Sequence, residues 1–412
     1  MQTENRSMAA NLRLYPWYAA CFNAHFWMPV FFLYFLQNLS MSRVLRLEAI
    51  YYIAVVILEV PSGYFSDRFG RRPTLLIACG ALLVAYTLFY FGTSFGYFTV
   101  AQVFLAGGLA FNSGTDTSLH YDSLVEVGLE HTYGAREAKV MQKSILAGGL
   151  AAVMGGAIGI FELRYAYLLS GCMAVAAFAV VLRMREPHVH LKTLLPEKPV
   201  NQFKACFRLL RHPLLAWIFA FYVLMTVLNH IPYEFYQPYL ALLLHQMASM
   251  TNGASLSTGI HAGLAMLIAA VFAGYSDRLC NRIGLKRLFL GLIAFQTLTI
   301  FAMGFTLHVL IVGLVLFRTV PRAVMTAPMN AAIAPLVGSA QRATFLSIQS
   351  LAGRLAFSGF LFALSMLTVD SEPTGWNALS TKLQVSGAVG LTGLILLMFF
   401  NRRLPVTFAS KN

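Results

Sequence analysis

The side chains best suited to chemistry in this chain are ionisable groups set inside long apolar runs. Arg318, Arg322 and Arg354 lie in such runs, and no acidic residue occurs between Asp277 and Asp370 to neutralise them locally. A guanidinium stays charged in proteins and offers a planar fork of donors that fits a carboxylate or phosphate. Each arginine therefore needs a counter-charge, either Glu59, Asp116 or Glu234 from elsewhere in the chain or a bound anion. The reading adopted is an anionic or zwitterionic ligand, with a structural ion pair as the alternative. Arg322 follows Arg318 by one helical turn, and Pro321 is expected to distort that turn.

Acidic groups occur in the first half of the chain. Glu59 lies about two turns before the end of its apolar run. Asp116 and His120 are four residues apart and so share a helix face. A carboxylate in apolar surroundings can exchange protons near neutral pH. Glu59, Asp116 and His120 are thus candidates for proton exchange, the alternative being a hydrogen-bond network. His25 sits mid-run, suited to titration, ligand binding or a single hydrogen bond. His230 and Glu234 form another pair four residues apart, beside Asn229 and Pro232. Together with the three arginines, these are the candidate ligand contacts.

The elements that must carry these groups are membrane helices. Apolar residues make up 58% of the chain and charged residues 11%, against about 25% charged in a soluble domain. The mean hydropathy is +0.67. A crossing helix needs about 20 apolar residues. Twelve such spans are predicted, at 14–37, 47–66, 73–92, 96–118, 140–161, 165–183, 214–238, 256–276, 287–306, 309–334, 343–367 and 384–402. An ionisable group in such a span costs about 2.5–3.5 kcal/mol, so each is a functional candidate. Residues 1–13 are polar and the first apolar run is too long for a cleavable signal, so it reads as an anchor that stays. The stretch 184–212 is charged and proline-containing, with an amphipathic piece from Val200 to Leu210, and reads as a linker on the membrane face. It divides the chain into six-helix bundles at 1–183 and 213–412. Gly375 to Lys382 reads as an amphipathic stretch on the outer surface before the last span.

Two charged junctions between spans repeat one another. Gly63 to Arg72 reads GYFSDRFGRR, and Ala273 to Arg287 reads AGYSDRLCNRIGLKR. Asp67-Arg68 recurs as Asp277-Arg278, 210 positions later. One such junction per half indicates a duplicated membrane bundle. Small residues also recur every four positions, at Gly148, Ala152 and Gly156 and at Gly259, Gly263 and beyond, which lets helix backbones approach closely.

The first junction, with Gly63, Asp67, Arg68, Gly70, Arg71 and Arg72, resembles the signature turn of the major facilitator superfamily. The second is a degraded copy, with Ala273 in the glycine position and extra residues before Gly284. The resemblance covers nearly the whole chain. It implies an all-α integral membrane fold of twelve transmembrane helices in two six-helix pseudo-repeats. It further implies a cytoplasmic gate in which the turn aspartate faces the amino-terminal end of the eleventh helix. In that gate Arg71 pairs with an acid ending the fourth helix, Asp122, with Glu126 as the alternative. Asp277 and Arg278 are the corresponding residues of the second half. The chain departs from the drug–proton antiporters of that superfamily, because no proline occurs between Met141 and Phe161 and Gln102 stands where an arginine is usual.

The net charge of +14 reports topology. With a cytoplasmic amino terminus, 23 of the 30 Lys and Arg fall in cytoplasmic segments and four in outer ones, while Arg318, Arg322 and Arg354 lie within spans. That asymmetry places both termini in the cytoplasm and argues against a nucleic-acid partner. The five cysteines are scattered without a Cys-x-x-Cys, so neither a disulfide framework nor a zinc site follows. No Walker loop is present, which argues against direct ATP coupling.

The resemblance implies a secondary active transporter, not an enzyme, moving a small polar solute by alternating access. Protons are the expected coupling ion, without a metal or other cofactor, and export is the expected direction. A monomer in the plasma membrane, the inner membrane of a bacterium, is the expected form. The alternatives are proton-coupled uptake of an anionic metabolite or metal-chelating organic acid and, in another class, a transporter-like sensor without turnover.

Overall fold

Long apolar runs satisfy their backbone polar groups internally by forming helices. The computed structural model of the chain describes residues 2–187, 208–248, 253–333, 335–337, 339–367 and 375–401, and among these it has helices and no strand. The helices are α1 (Gln2–Phe22), α2 (Phe31–Leu36), α3 (Met41–Phe69), α4 (Arg71–Phe91), α5 (Phe95–Asn112), α6 (Thr115–Glu126), α7 (Tyr133–Ile158) and α8 (Arg164–Arg183). They continue as α9 (Pro213–Ala248), α10 (Ala254–Ala273), α11 (Ser276–Ile283), α12 (Leu285–Phe305), α13 (Val309–Val315), α14 (Val320–Ile333), α15 (Ser339–Ser365) and α16 (Trp376–Asn401).

Among the described residues, ten helical stretches are long and apolar enough to cross a membrane, and they coincide with the third to twelfth expected spans. The second expected span is the middle of α3, one uninterrupted helix of 29 residues. Of the expected linker 184–212, residues 188–207 lie outside the described residues.

Three spans differ from expectation in being broken. The first, expected at 14–37, becomes α1, an irregular segment and the short α2. His25 therefore lies in the irregular segment and not near the middle of a helix. Asn23 Nδ2 donates to the carbonyl of Ala19 at 2.8 Å, taking up a carbonyl at the end of α1. Pro29 brings no N–H to continue a helix. A neighbouring helix holds the unwound chain: a Cβ on Gly155 of α7 would overlap the Phe26 carbonyl. The fourth span bends between α5 and α6, where Gly114 adopts φ +75°, a conformation glycine enters without a Cβ penalty. The tenth breaks between α13 and α14, just ahead of Pro321. That places Pro321 in the first turn of α14, where its missing N–H costs little.

The outer amphipathic stretch is also corrected. From Trp376 onward it is the start of α16, and Lys382 is fully buried. The residues from Trp376 continue into the apolar run without a helix-breaking residue, so the helix simply starts earlier.

The chain forms two compact units. One comprises α1 to α8 with α10 up to Gly263 and the end of α15 from Leu361; the other comprises α9 up to Leu243, the rest of α10 and α15, and α11 to α14 with α16. In the first unit α5 packs on α3 and α4, and α4 also packs on α8. Gly108 admits this: a Cβ there would meet Leu82 Cδ2 at 2.5 Å. A buried aromatic cluster joins Tyr34, Phe35, Phe89, Phe98 and Tyr167, with the Phe89 and Tyr167 ring centroids 4.8 Å apart. Tyr34 Oη donates to the Phe89 carbonyl. The small-residue stripes of α7 and α10 meet, such that a Cβ on Gly156 would sit 2.5 Å from the Ser255 carbonyl. In the second unit α12 packs on α16, and Phe221 stacks on Phe289 at 4.1 Å.

Candidate functional site

The duplicated junction is built on a glycine in a left-handed conformation. Gly70 has φ +109° and both ends α3 and begins α4, while Gly284 has φ +85° between α11 and α12. Only glycine turns the chain there without strain. The halves differ before the glycine. Gly63 lies inside continuous α3, whereas the second copy breaks after Ala273 and restarts as α11, with Asp277 in its first turn. Arg278 lies over the Tyr275 ring at 5.7 Å.

The basic residues of the first junction have separate partners. Arg71 donates from Nη1 to Asp67 Oδ1 at 2.7 Å and to Ser66 Oγ at 2.8 Å, and its Nε lies 3.5 Å from Asp122 Oδ2. Arg72 donates to the carbonyls of Val181 at 3.3 Å and Leu182 at 3.0 Å, at the carboxyl-terminal end of α8, where a cation is favoured. Arg68 donates to Tyr64 Oη at 2.7 Å on an exposed face. The expected partner of Asp67, the amino-terminal end of the eleventh helix, has its side chains at 339–343 outside the described residues.

Sequence reasoning missed Glu186. Its two carboxylate oxygens accept from the backbone N–H groups of Arg71 and Arg72, each at 2.6 Å, and so cap the positive end of α4. A helix start without a local side-chain cap was the only signal for such a partner, and it does not say where the cap comes from.

Asp116 and His120 have different partners on α6. Asp116 accepts from its neighbour Thr117 N at 2.8 Å and faces Asn112 Nδ2 at 3.5 Å. His120, buried, places Nδ1 2.7 Å from Glu137 Oε2 on α7, and Tyr15 stacks on its ring at 4.3 Å. Tyr15 Oη also donates to Glu137 Oε1, at 3.4 Å. Glu137 was missed because it stands ahead of the expected start of the fifth span, although α7 begins at Tyr133. Glu59 is half-buried on α3, and its carbonyl accepts from Ser62 Oγ at 2.9 Å. His25 Nδ1 lies 3.4 Å from Tyr86 Oη, which accepts from Trp27 Nε1 at 3.2 Å.

The cationic candidates gather in the second unit. His230 on α9 holds the Thr226 carbonyl at 2.6 Å, packs on Phe357 at 4.7 Å, and lies within electrostatic reach of Arg322 and Arg354. Arg318 is separate from that group, buried at the break between α13 and α14 with its guanidinium 4.1 Å from the Tyr236 ring centroid. Arg318 and Arg322 thus do not share one environment: the first is buried and the second exposed. The break supplies the reason, since the residues between them are not one regular helical turn. Glu234 is fully buried on α9.

A third carboxylate that sequence reasoning passed over is Glu48. The second span was expected to begin at Leu47, which left Glu48 at its mouth, but α3 starts at Met41 and carries Glu48 two turns inward. Gln102 Nε2 donates to Glu48 Oε1 at 2.8 Å, and both residues are buried. Among the described residues, no group of three or more His, Cys, Asp or Glu could hold a metal ion.

Comparison with known proteins agrees with this architecture. The family model described as Major Facilitator Superfamily matches residues 18–361. A crystal structure of the nucleoside transporter NupG aligns with a TM-score of 0.79 at 13% identity, covering 95% of this chain and 99% of that one. A bacterial homologue of the human lysosomal transporter Spinster, in an inward-facing and occupied conformation, aligns at 0.71 and 13%, covering 97% of each chain. A D-xylose–proton symporter aligns at 0.66 and 18%, covering 97% and 98%. At these identities the likeness is one of fold. A comparison with curated proteins found no match.

Proposed function

We propose, given that this chain belongs to the Major Facilitator Superfamily, that it is a secondary transporter moving a small anionic or zwitterionic organic solute by alternating access. The observation that carries the solute class is the grouping of His230, Arg322 and Arg354 in one unit, with Arg318 buried nearby in the chain. Such a concentration of positive charge in membrane helices is costly, and an anion bound in bidentate fashion offsets that cost. Solved relatives named for a nucleoside and for D-xylose support a small polar organic solute.

Protons are the coupling ion in this reading, with Glu59, Asp116 and His120 as the exchange groups; one solved relative is itself named a proton symporter. The protein crosses the plasma membrane twelve times as a monomer with both termini cytoplasmic, and export is the favoured direction. Uptake of an anionic metabolite or a metal-chelating organic acid is the second reading, favoured by the lack of proline between Met141 and Phe161.

The test is thermal unfolding of the detergent-purified protein against a ligand panel split by charge. A ligand that binds only the native state stabilises it by about 2.7 kcal/mol at a hundredfold excess over Kd. Stabilisation by organic anions that is lost in Arg354→Ala is the expected result. Stabilisation by lipophilic cations alone, unchanged in Arg354→Ala, overturns the solute class. Counterflow of the stabilising ligand in proteoliposomes then separates a transporter from a sensor, which shows none.

A further inference from the structure

Glu48 and Gln102 face each other across α3 and α5 beside a small void of about 10 Å³, which also touches Trp27, Tyr51, Phe89 and Tyr167. That volume has room for a single water-sized group. The Gln102 side chain is 2% exposed and spends its amide N–H on Glu48, while its carbonyl Oε1 is buried and accepts no hydrogen bond. Among the described residues, no lysine, arginine or histidine lines the void. The charge of the lining is therefore one-sided: it is carried by Glu48, with Gln102 and the aromatic residues Trp27, Tyr51, Phe89 and Tyr167 around it.

We propose that this void receives the primary ammonium group of the transported solute, with Glu48 as its counter-ion and Gln102 Oε1 as its second acceptor. The match is chemical. An ammonium group carries three donors, no acceptor and a positive charge, in a volume close to that of water. It would satisfy the orphan carbonyl, whose burial without a partner otherwise costs about 1–3 kcal/mol. Its charge offsets that of a carboxylate buried among apolar side chains, and ring faces add cation–π attraction. Water brings two donors and no charge, so it leaves the carboxylate uncompensated. A quaternary ammonium exceeds the space and has no N–H, and an anion meets a like charge.

The inference deepens the proposed function, because it names a primary amine as the group of the solute that the first unit takes. It rests on the transporter reading only for calling the ligand a solute, and binding is measured without transport. The probes are ethanolamine, choline (the same skeleton, trimethylated on nitrogen) and ethylene glycol (a hydroxyl in place of the ammonium). Trp27 borders the void and is one of four tryptophans, so the purified protein carries its own reporter.

Ethanolamine across the millimolar range is expected to change tryptophan emission saturably and to raise the unfolding midpoint. Choline and ethylene glycol are expected to do neither. The emission change should vanish in Trp27→Phe, and the midpoint concentration should rise at least about tenfold in Glu48→Gln, the loss of about 1.4 kcal/mol of binding. Should Glu48→Gln fail to fold, Gln102→Leu removes the second acceptor together with the amide N–H that Glu48 accepts, and is expected to weaken ethanolamine binding in the same direction. No response to ethanolamine, an equal response to ethylene glycol, or undiminished binding in the folded variants would overturn the proposal. Organic-anion binding sensitive to Arg354 would stand in any of those cases, so the two readings fail separately.

Discussion

The guanidinium Nε of Arg71 lies 3.5 Å from Asp122 Oδ2, joining the start of α4 to the second half of α6. Both side chains are mostly buried, at 16% and 17% exposure, so the pair is screened less than a surface ion pair. A gate requires such a contact to break once per cycle. Arg71→Ala and Asp122→Ala should each leave a folded protein with slowed turnover. Loss of an ion pair worth about 1 kcal/mol corresponds to roughly fivefold in rate or population. Wild-type counterflow rates in both variants would remove the gate from the mechanism.

The two junction glycines separate backbone strain from a steric clash. A Cβ at Gly70 would be strained by φ +109° and would lie 2.9 Å from the Glu186 carboxylate, whereas one at Gly284 would have nothing within 4 Å. Both substitutions by alanine carry the cost of a left-handed residue, about 1–2 kcal/mol. Gly70→Ala should lower the unfolding midpoint further than Gly284→Ala. Adding Glu186→Ala should lower the midpoint less in the Gly70→Ala background than in the Gly284→Ala background, because there it removes the overlap as well as the cap, and equal midpoints for the two glycine variants would contradict the contact.

Removing the Glu186 cap alone should cost about 1 kcal/mol, in the range for lost helix caps. Glu186→Gln keeps two polar atoms but loses the charge that faces the positive end of α4, so its cost should be smaller. Thermal unfolding of the pair measures the difference. A Glu186→Ala midpoint equal to wild type would show that solvent replaces the cap.

Close helix approach makes a position-specific forecast along α7. A Cβ at Gly155 would overlap the Phe26 carbonyl, one at Gly156 would reach the Ser255 carbonyl, and one at Gly149 would meet nothing within 4 Å. Gly155→Ala and Gly156→Ala should strongly reduce the yield of folded protein. Gly149→Ala should be neutral or stabilising by up to about 1 kcal/mol, the helix-propensity difference. Yields by size-exclusion chromatography decide between this and a generic requirement for small residues.

Proton coupling is read from pH-gradient-driven uptake into proteoliposomes. Glu59→Gln or Asp116→Asn should abolish the response to the gradient in at least one case, while solute counterflow persists. If both retain wild-type pH dependence, the exchange group lies elsewhere. Glu137→Gln then becomes the next variant, because Glu137 is the carboxylate that holds His120.

Several of these features were legible in the amino-acid order because they are local. Apolar runs of crossing length announce the helices, since a backbone in lipid has no other way to satisfy itself. The repeated Asp-Arg followed by a glycine announces two copies of one turn, and both glycines indeed take positive φ. Spacing by four along the fifth and eighth spans announces a surface where backbones can meet.

Which groups meet was decided only in three dimensions. Glu186 is 115 residues from the backbone N–H it caps, and nothing near either one names the other. His120 pairs with Glu137 and not Asp116 because α7 begins earlier than its apolar run and lies against α1, which carries Tyr15. Glu48 passes from a span's mouth to a buried position once α3 extends back to Met41. Phe26 unwinds its helix where Gly155 leaves room for a carbonyl. Hydropathy and spacing are properties of neighbours along the chain, whereas a partner is whatever packing brings within about 3 Å, the reach of a hydrogen bond.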